Sequence, residues 1–223
     1  MTSKSFWEGL IGDRHSAVRS AANAHREAHD CDAFPTGRST AAMAQWLVRT
    51  TGSKRVLELG TGLGYLTLHL ADALAPSAKL VSIERNPVHA QLAQANIAQA
   101  GQGHLVRVQV GDIEQVIPGL EQAIDLAIDD AWFLQRPPWL DPVLGLLRPG
   151  GVLLQTNWFA LDLALANNEQ VRPDWTERYG PNWPLELQSY AGELASRQDV
   201  DATLLAGPVA MLLRRTAVQE TMH

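Results

Sequence analysis

From Lys54 onward the chain alternates short β-rich runs with helical segments, and this alternation narrows its fold more than any other feature. The runs are Arg55–Leu59, Ala78–Ile83, Leu105–Val110, Ile124–Ile128 and Val152–Thr156. Between them come helical stretches from Gly64 to about Leu74, Pro87–Ala100 with Val88, Leu92 and Ile97 inward, a short one around Ile113–Ile117, and Trp139–Leu147, which Arg148-Pro149-Gly150-Gly151 ends. Strands that alternate with helices form a mostly parallel sheet covered on both faces. A further helix, Leu185–Arg197, precedes two more runs, Ala202–Leu205 and Val209–Arg214. Their link, Ala206-Gly207-Pro208, is too short for a crossover, so an antiparallel terminal pair is expected. The expected fold is a doubly wound, mostly parallel, seven-stranded α/β sheet.

The flanks divide accordingly. Residues 1–33 are polar, Ala- and His-rich, and read as an N-terminal helical arm. Phe34-Pro35-Thr36-Gly37 breaks it. Ser39 or Thr40 then caps a helix to Arg49, with Ala42, Met43, Trp46 and Leu47 on one face. The main domain is expected over 34–215, with a tail at 216–223. Within it, the Trp-, Pro- and Asn-rich stretch 157–184 reads as a lid or acceptor insert.

Composition removes several function classes. The chain has 18 Lys+Arg against 24 Asp+Glu, a net charge of −6, so no basic footprint for nucleic acid or an anionic membrane is visible. No apolar run reaches the ~18 residues that a membrane helix needs, and the first residues lack the apolar core of a secretory signal. The single cysteine, Cys31, excludes an intrachain disulfide and suits a reducing cytoplasm. His25, His29, Cys31 and Asp32 invite a zinc reading, because residues four apart share a helix face. No second ligand pair follows at suitable spacing, so no metal site is expected. His69, His89 and His104 are read as helix-surface or loop residues.

The strongest local signal is Glu58-Leu59-Gly60-Thr61-Gly62-Leu63-Gly64-Tyr65. A glycine loop between strand and helix lets backbone come close to a ligand. The dinucleotide pattern G-x-G-x-x-G would need glycine where Tyr65 stands, which disfavours nicotinamide and flavin dinucleotides. Glu84, ending the second strand, suits the two hydroxyls of a ribose. Glu58 beside the loop would repel a phosphate and suit a cationic group. Asp112, after the third strand, suits an adenine amino group. A nucleoside with a cationic amino-acid tail and no phosphate meets all three demands; S-adenosylmethionine is such a molecule.

With these residues, with Ser82-Ile83-Glu84-Arg85-Asn86-Pro87, with Asp125-Leu126-Ala127-Ile128-Asp129 and with Leu147-Arg148-Pro149-Gly150-Gly151-Val152, the chain from about Phe34 to Arg215 resembles the class I S-adenosylmethionine-dependent methyltransferases. It is most similar to the small catechol/caffeoyl-CoA-like O-methyltransferases. The resemblance implies a Rossmann-like domain in which Glu58 and Gly60 meet the methionine moiety and Gly62 and Gly64 belong to the cofactor site. It places Glu84 on the ribose, Asp112 on the adenine, Tyr65 beside the methyl group, and Asp129 on the floor of the reaction site. It also implies a small-molecule acceptor and allows a homodimer.

Metal-dependent members carry Asp at position 129, Lys three residues later and an Asp-Asn pair ending the next strand. This chain has Asp129 but Trp132 and Thr156-Asn157. One formal charge replaces two, a poor set for Mg²⁺, so a divalent metal is doubtful. Asp129 or Asp130 is then the expected catalytic base, Asp129 preferred because the resemblance places it facing the site, with Trp132, Asn157 and Trp158 at an aromatic acceptor pocket. The alternatives are a non-catalytic protein that keeps the cofactor fold, or a nitrogen or carbon acceptor.

Overall fold

A computed structural model describes residues 10, 12–131, 134–165, 173–205 and 210–216. The fold is α/β, with a seven-stranded mixed sheet and two compact units, residues 1–116 and 117–223.

In the first unit, helix α1 (Ser16–His29) forms the arm and helix α2 (Arg38–Thr51) follows it. Strand β1 (Arg55–Leu59), helix α3 (Tyr65–Ala71), strand β2 (Lys79–Glu84), helix α4 (Pro87–Gln99), strand β3 (Val106–Val110) and the short α5 (Ile113–Val116) complete it. The strands lie in the order β3-β2-β1, all parallel, with Glu58 opposite Ser82 and Glu84 opposite Val110. This is the outward-winding half of a doubly wound sheet. Burial over β1 is continuous from Val56 to Leu59, as a strand covered on both faces requires.

The helix faces correct the apolar-periodicity reading. On α2 the buried residues are Ala41, Ala44, Leu47 and Val48, while Trp46 is 61% exposed. On α4 they are His89, Ala90, Ala93 and Ile97, leaving Val88 and Leu92 outside. Small side chains win these faces because the backbones pack closely. A Cβ on Gly64 would already meet the Ala93 Cβ at 3.4 Å. The cap of α2 is Gly37, not Ser39 or Thr40, and no side chain caps it. Asn86, by contrast, caps α4, its Oδ1 accepting from the Val88 N–H at 2.9 Å.

The second unit holds β4 (Ile124–Asp129), α6 (Leu140–Leu146), β5 (Leu147–Thr156), α7 (Ala160–Leu165), α8 (Pro173–Tyr179), α9 (Trp183–Ser196), β6 (Val200–Leu204) and β7 (Ala210–Arg215). Strand order is β4-β5-β7-β6; β4 and β5 are parallel, and β7 is antiparallel to both β5 and β6. The expected antiparallel ending is therefore present. Strand β5 starts at Leu147, earlier than expected, and Arg148-Pro149-Gly150-Gly151 bulges from it: Ile124 pairs with Leu147 but Leu126 pairs with Val152, and Gly150 sits at φ 75°. The stretch 157–184 contributes helices α7 and α8; residues 166–172 lie outside the described ones. Its tryptophans form core. Trp158 and Trp183 are fully buried, Trp158 stacks on Tyr190 at 5.5 Å, and Trp175 meets Trp183 edge-on at 5.4 Å. No helix of the described residues is long and apolar enough to cross a membrane.

Candidate active site

The loop between β1 and α3 can be built only from glycine at three positions. Gly60, Gly62 and Gly64 have φ of 90°, 52° and 89°, a region that strains any residue with a Cβ. The loop amides are largely engaged within the protein. The Gly60 and Thr61 N–H groups donate to the Ile83 carbonyl at 3.0 and 3.2 Å, and the Gly64 N–H donates to the Thr61 carbonyl at 2.9 Å. The Gly62 N–H donates to Glu84 Oε2 at 2.8 Å. A loop that cradles a pyrophosphate presents such amides outward. This one directs four of them inward, so the loop is not a phosphate nest.

Glu84 stands where β2 ends and is 7% exposed. Its second oxygen accepts from the Asn86 N–H at 2.9 Å. Two backbone donors thus fix the carboxylate, and each oxygen retains a lone pair for a hydroxyl donor. Asp112 is exposed, and its carbonyl accepts from the Gln115 and Val116 N–H groups at 3.0 Å, opening α5. The preceding Gly111 bonds back to the Glu84 carbonyl at 2.9 Å, joining the ends of β2 and β3.

Glu58 lies deeper than a residue that touches ligand from beside the loop. It is wholly buried, and its Oε2 accepts from the Thr67 hydroxyl at 2.6 Å and the Ser82 hydroxyl at 2.5 Å. Because the Ser82 proton goes to Glu58, the Thr61 hydroxyl donates to Ser82, at 2.5 Å. The carboxylate therefore ties β1, β2, α3 and the loop together. Tyr65 is also buried, and its hydroxyl donates to Asp13 Oδ1 of the arm at 3.1 Å. Burial and the adjacent Asp13 carboxylate push its pKa well above the ordinary tyrosine value. The Asn96 side chain donates to the Leu63 carbonyl at 2.9 Å, and Leu63 packs with Ala22 and Ala33, so the arm and α4 both support the loop.

The second unit holds the other candidates. Asp129 is 1% exposed, and its Oδ2 accepts from the Trp139 indole at 3.0 Å and the Gln155 amide at 3.3 Å. The Gln155 carbonyl oxygen accepts from the Tyr190 hydroxyl at 2.8 Å, which fixes the amide orientation. Burial holds the Tyr190 phenol well above its usual pKa, so it remains a donor. Asp130 is half-buried, and its Oδ1 accepts from the Thr156 hydroxyl at 2.5 Å. Asn157, half-buried at the end of β5, sits at φ 66°, a left-handed conformation that asparagine tolerates better than most residues. Trp158 belongs to the core, since its ring offers no surface to a substrate, contrary to the expected pocket role. Trp132 lies outside the described residues.

The donor set at Asp129, Thr156 and Asn157 does not fit Mg²⁺. A hard cation needs free carboxylate oxygens. Here two N–H groups aim at one oxygen of Asp129, and the Thr156 hydroxyl binds Asp130. Sequence reasoning missed the roles of Gln155, Tyr190 and Trp139, because nothing in their spacing shows which buried polar atoms converge.

Comparison with known proteins identifies the family. The O-methyltransferase family model matches residues 17–205. Catechol O-methyltransferase from Niastella koreensis is 31% identical over 155 residues, 66% of this chain and 68% of that protein. The Sus scrofa catechol O-methyltransferase is 36% identical over 134 residues, 56% of this chain and 71% of that one. The crystal structure of the O-methyltransferase TomG from Streptomyces achromogenes, involved in tomaymycin synthesis and solved in complex with SAM, superposes with a TM-score of 0.75. It is 27% identical and covers 97% of this chain and 100% of its own. The chain belongs to the O-methyltransferase family.

Proposed function

We propose that this protein transfers a methyl group from S-adenosylmethionine to a hydroxyl of a small planar acceptor in the cytoplasm, without a divalent metal. The observation that carries the reading is the clamped Glu84 carboxylate beside a glycine loop whose amides face inward. That arrangement suits a ribose and offers nothing to a pyrophosphate. Glu84 would accept from the ribose hydroxyls, and Asp112 from the adenine amino group. Glu58 would keep the loop in shape from below. The sulfonium supplies an activated methyl carbon when the cofactor is bound. Catechol as the acceptor type follows the named relatives.

In the reaction the S–CH₃ bond breaks as an O–CH₃ bond forms, and the acceptor hydroxyl loses its proton. A carboxylate of the Asp129–Asp130 pair takes that proton. Asp130 is the better placed, because it is half-exposed, whereas Asp129 is buried and held by Trp139 and Gln155. Asp129 then acts as a fixed anionic floor that orients its neighbours. Positioning in such a site supplies up to ~7–11 kcal/mol of the barrier in favourable cases.

Calorimetric titration with S-adenosylhomocysteine tests the cofactor; saturable one-to-one heat is expected, and none at millimolar ligand would end the reading. Turnover of a catechol panel with labelled cofactor tests the acceptor. Activity that persists in EDTA is expected, and loss restored by Mg²⁺ would overturn the metal-free assignment.

A further inference from the structure

Two neighbouring side chains of the arm and one from α4 converge at the end of α1. The His25 and His89 imidazoles and the Cys31 thiol each place a ligand atom so that all lie within 4.8 Å of one another. His25 is on α1, Cys31 follows that helix, and His89 is in the first turn of α4. The chain reaches this arrangement through Asp30, the left-handed cap of α1 at φ 47°, which reverses the backbone so that Cys31 folds back. The Cys31 N–H donates to the Arg26 carbonyl at 3.4 Å and fixes that reversal. The His25 and His89 rings meet edge-on at 5.2 Å.

We infer that His25, Cys31 and His89 form a binding site for a borderline transition-metal ion of the zinc class. Two imidazoles and a thiolate are the ligand types zinc prefers, with water in the fourth position. Metal–ligand bonds of about 2.0–2.3 Å put tetrahedral donors roughly 3.4–3.7 Å apart. The three atoms therefore need only a modest approach, and His25 and Cys31 are both half-buried. His89 is 2% exposed and already oriented, with Nδ1 3.9 Å from Glu84 Oε1. A carboxylate behind a ligating imidazole is the usual support for such a ligand. Arg85 pairs with Asp32 beside the cluster, and the His89 Nε2 lies 3.3 Å from the Asn86 side-chain amide nitrogen, a contact that a metal bound at that nitrogen would displace. A metal here would fasten the arm to α4 next to the Glu84 carboxylate.

The experiment uses the untagged full chain, stripped with chelator and titrated with Co²⁺, then with Zn²⁺. Cys31 is the only cysteine, so a thiolate-to-cobalt charge-transfer band reports this site alone. One equivalent of Co²⁺ should produce the band, Zn²⁺ should displace it, and Zn²⁺ should raise the melting temperature. Cys31→Ser should abolish the band, and His25→Gln should weaken Co²⁺ binding at least tenfold. Both substitutions spare the buried His89, so the metal-free melting temperatures should match the wild type. Absence of the band at one equivalent, or a band undiminished in His25→Gln, would overturn the assignment. Neither result depends on cofactor binding or turnover.

Discussion

The Glu84 carboxylate and the Gly62 backbone N–H are joined at 2.8 Å, so the acid expected to hold a ribose also holds the turn beside it. Replacing it removes both functions at once. Glu84→Ala should weaken S-adenosylhomocysteine binding about 10- to 100-fold, since a charged hydrogen bond is worth about 1.5–3 kcal/mol. Glu84→Gln should do nearly as badly, because its NH₂ would face one of the two backbone donors, Gly62 or Asn86. Calorimetry on both variants checks this.

Ser82 links Thr61 to Glu58, and its loss should act on stability more than on chemistry. Ser82→Ala leaves the Glu58 carboxylate one donor short and deprives the Thr61 hydroxyl of its acceptor. The cost should be about 1–3 kcal/mol, lowering the melting temperature by about 2–4 °C per kcal/mol in a chain this size. Thermal unfolding followed by circular dichroism reads it directly.

Asp129 and Asp130 should separate by readout. A carboxylate base works only when deprotonated, so kcat/KM rises with pH through its pKa and then levels. Asp130→Asn should remove that rise and lower kcat/KM about 10²–10⁴-fold, with the melting temperature nearly unchanged. Asp129→Asn should lower the melting temperature, because a buried charge that accepts from Trp139 and Gln155 is lost. If Asp129→Asn alone removed the pH rise, the base would be Asp129.

His69 carries a stability dependence whose sign can be worked out. Burial, with the nearby His15 ring, lowers its pKa below the ordinary 6.5. The unfolded chain therefore takes up a proton first as pH falls, and stability declines below 6.5. It is intact above that value. His69→Gln should flatten the fall in melting temperature on acidification, measured by scanning fluorimetry across that range.

Tyr190→Phe should lower kcat more than it raises KM. The hydroxyl fixes the Gln155 amide that faces Asp129, and the ring's stacking on Trp158 survives the change. A stability cost of about 1 kcal/mol is expected. Steady-state kinetics separates the two effects.

Much of this architecture is legible from residues alone. Gly60, Gly62 and Gly64 announce a loop with positive φ, since other residues are strained there. Glu84 is recognisable by its place at the end of a strand. Other features are not, for physical reasons. The inward faces of α2 and α4 are led by alanines, so the largest apolar residues, Trp46 and Leu92, point to the wrong side. His69 and His89 look like surface residues because a buried histidine has the same spacing as an exposed one; 7% and 2% exposure show otherwise. Trp158 is aromatic near the site but packs as core. Glu58 carries the right charge, but only the hydroxyls of Thr67 and Ser82 explain its depth.

A turn whose amides are already satisfied has its shape before any nucleoside arrives. Little local ordering entropy should then accompany association, and encounter need not wait for a segment to fold. Tightness is consequently governed by the supports beneath, Glu58, Asn96 and Leu63 among them, as much as by atoms that touch the visitor.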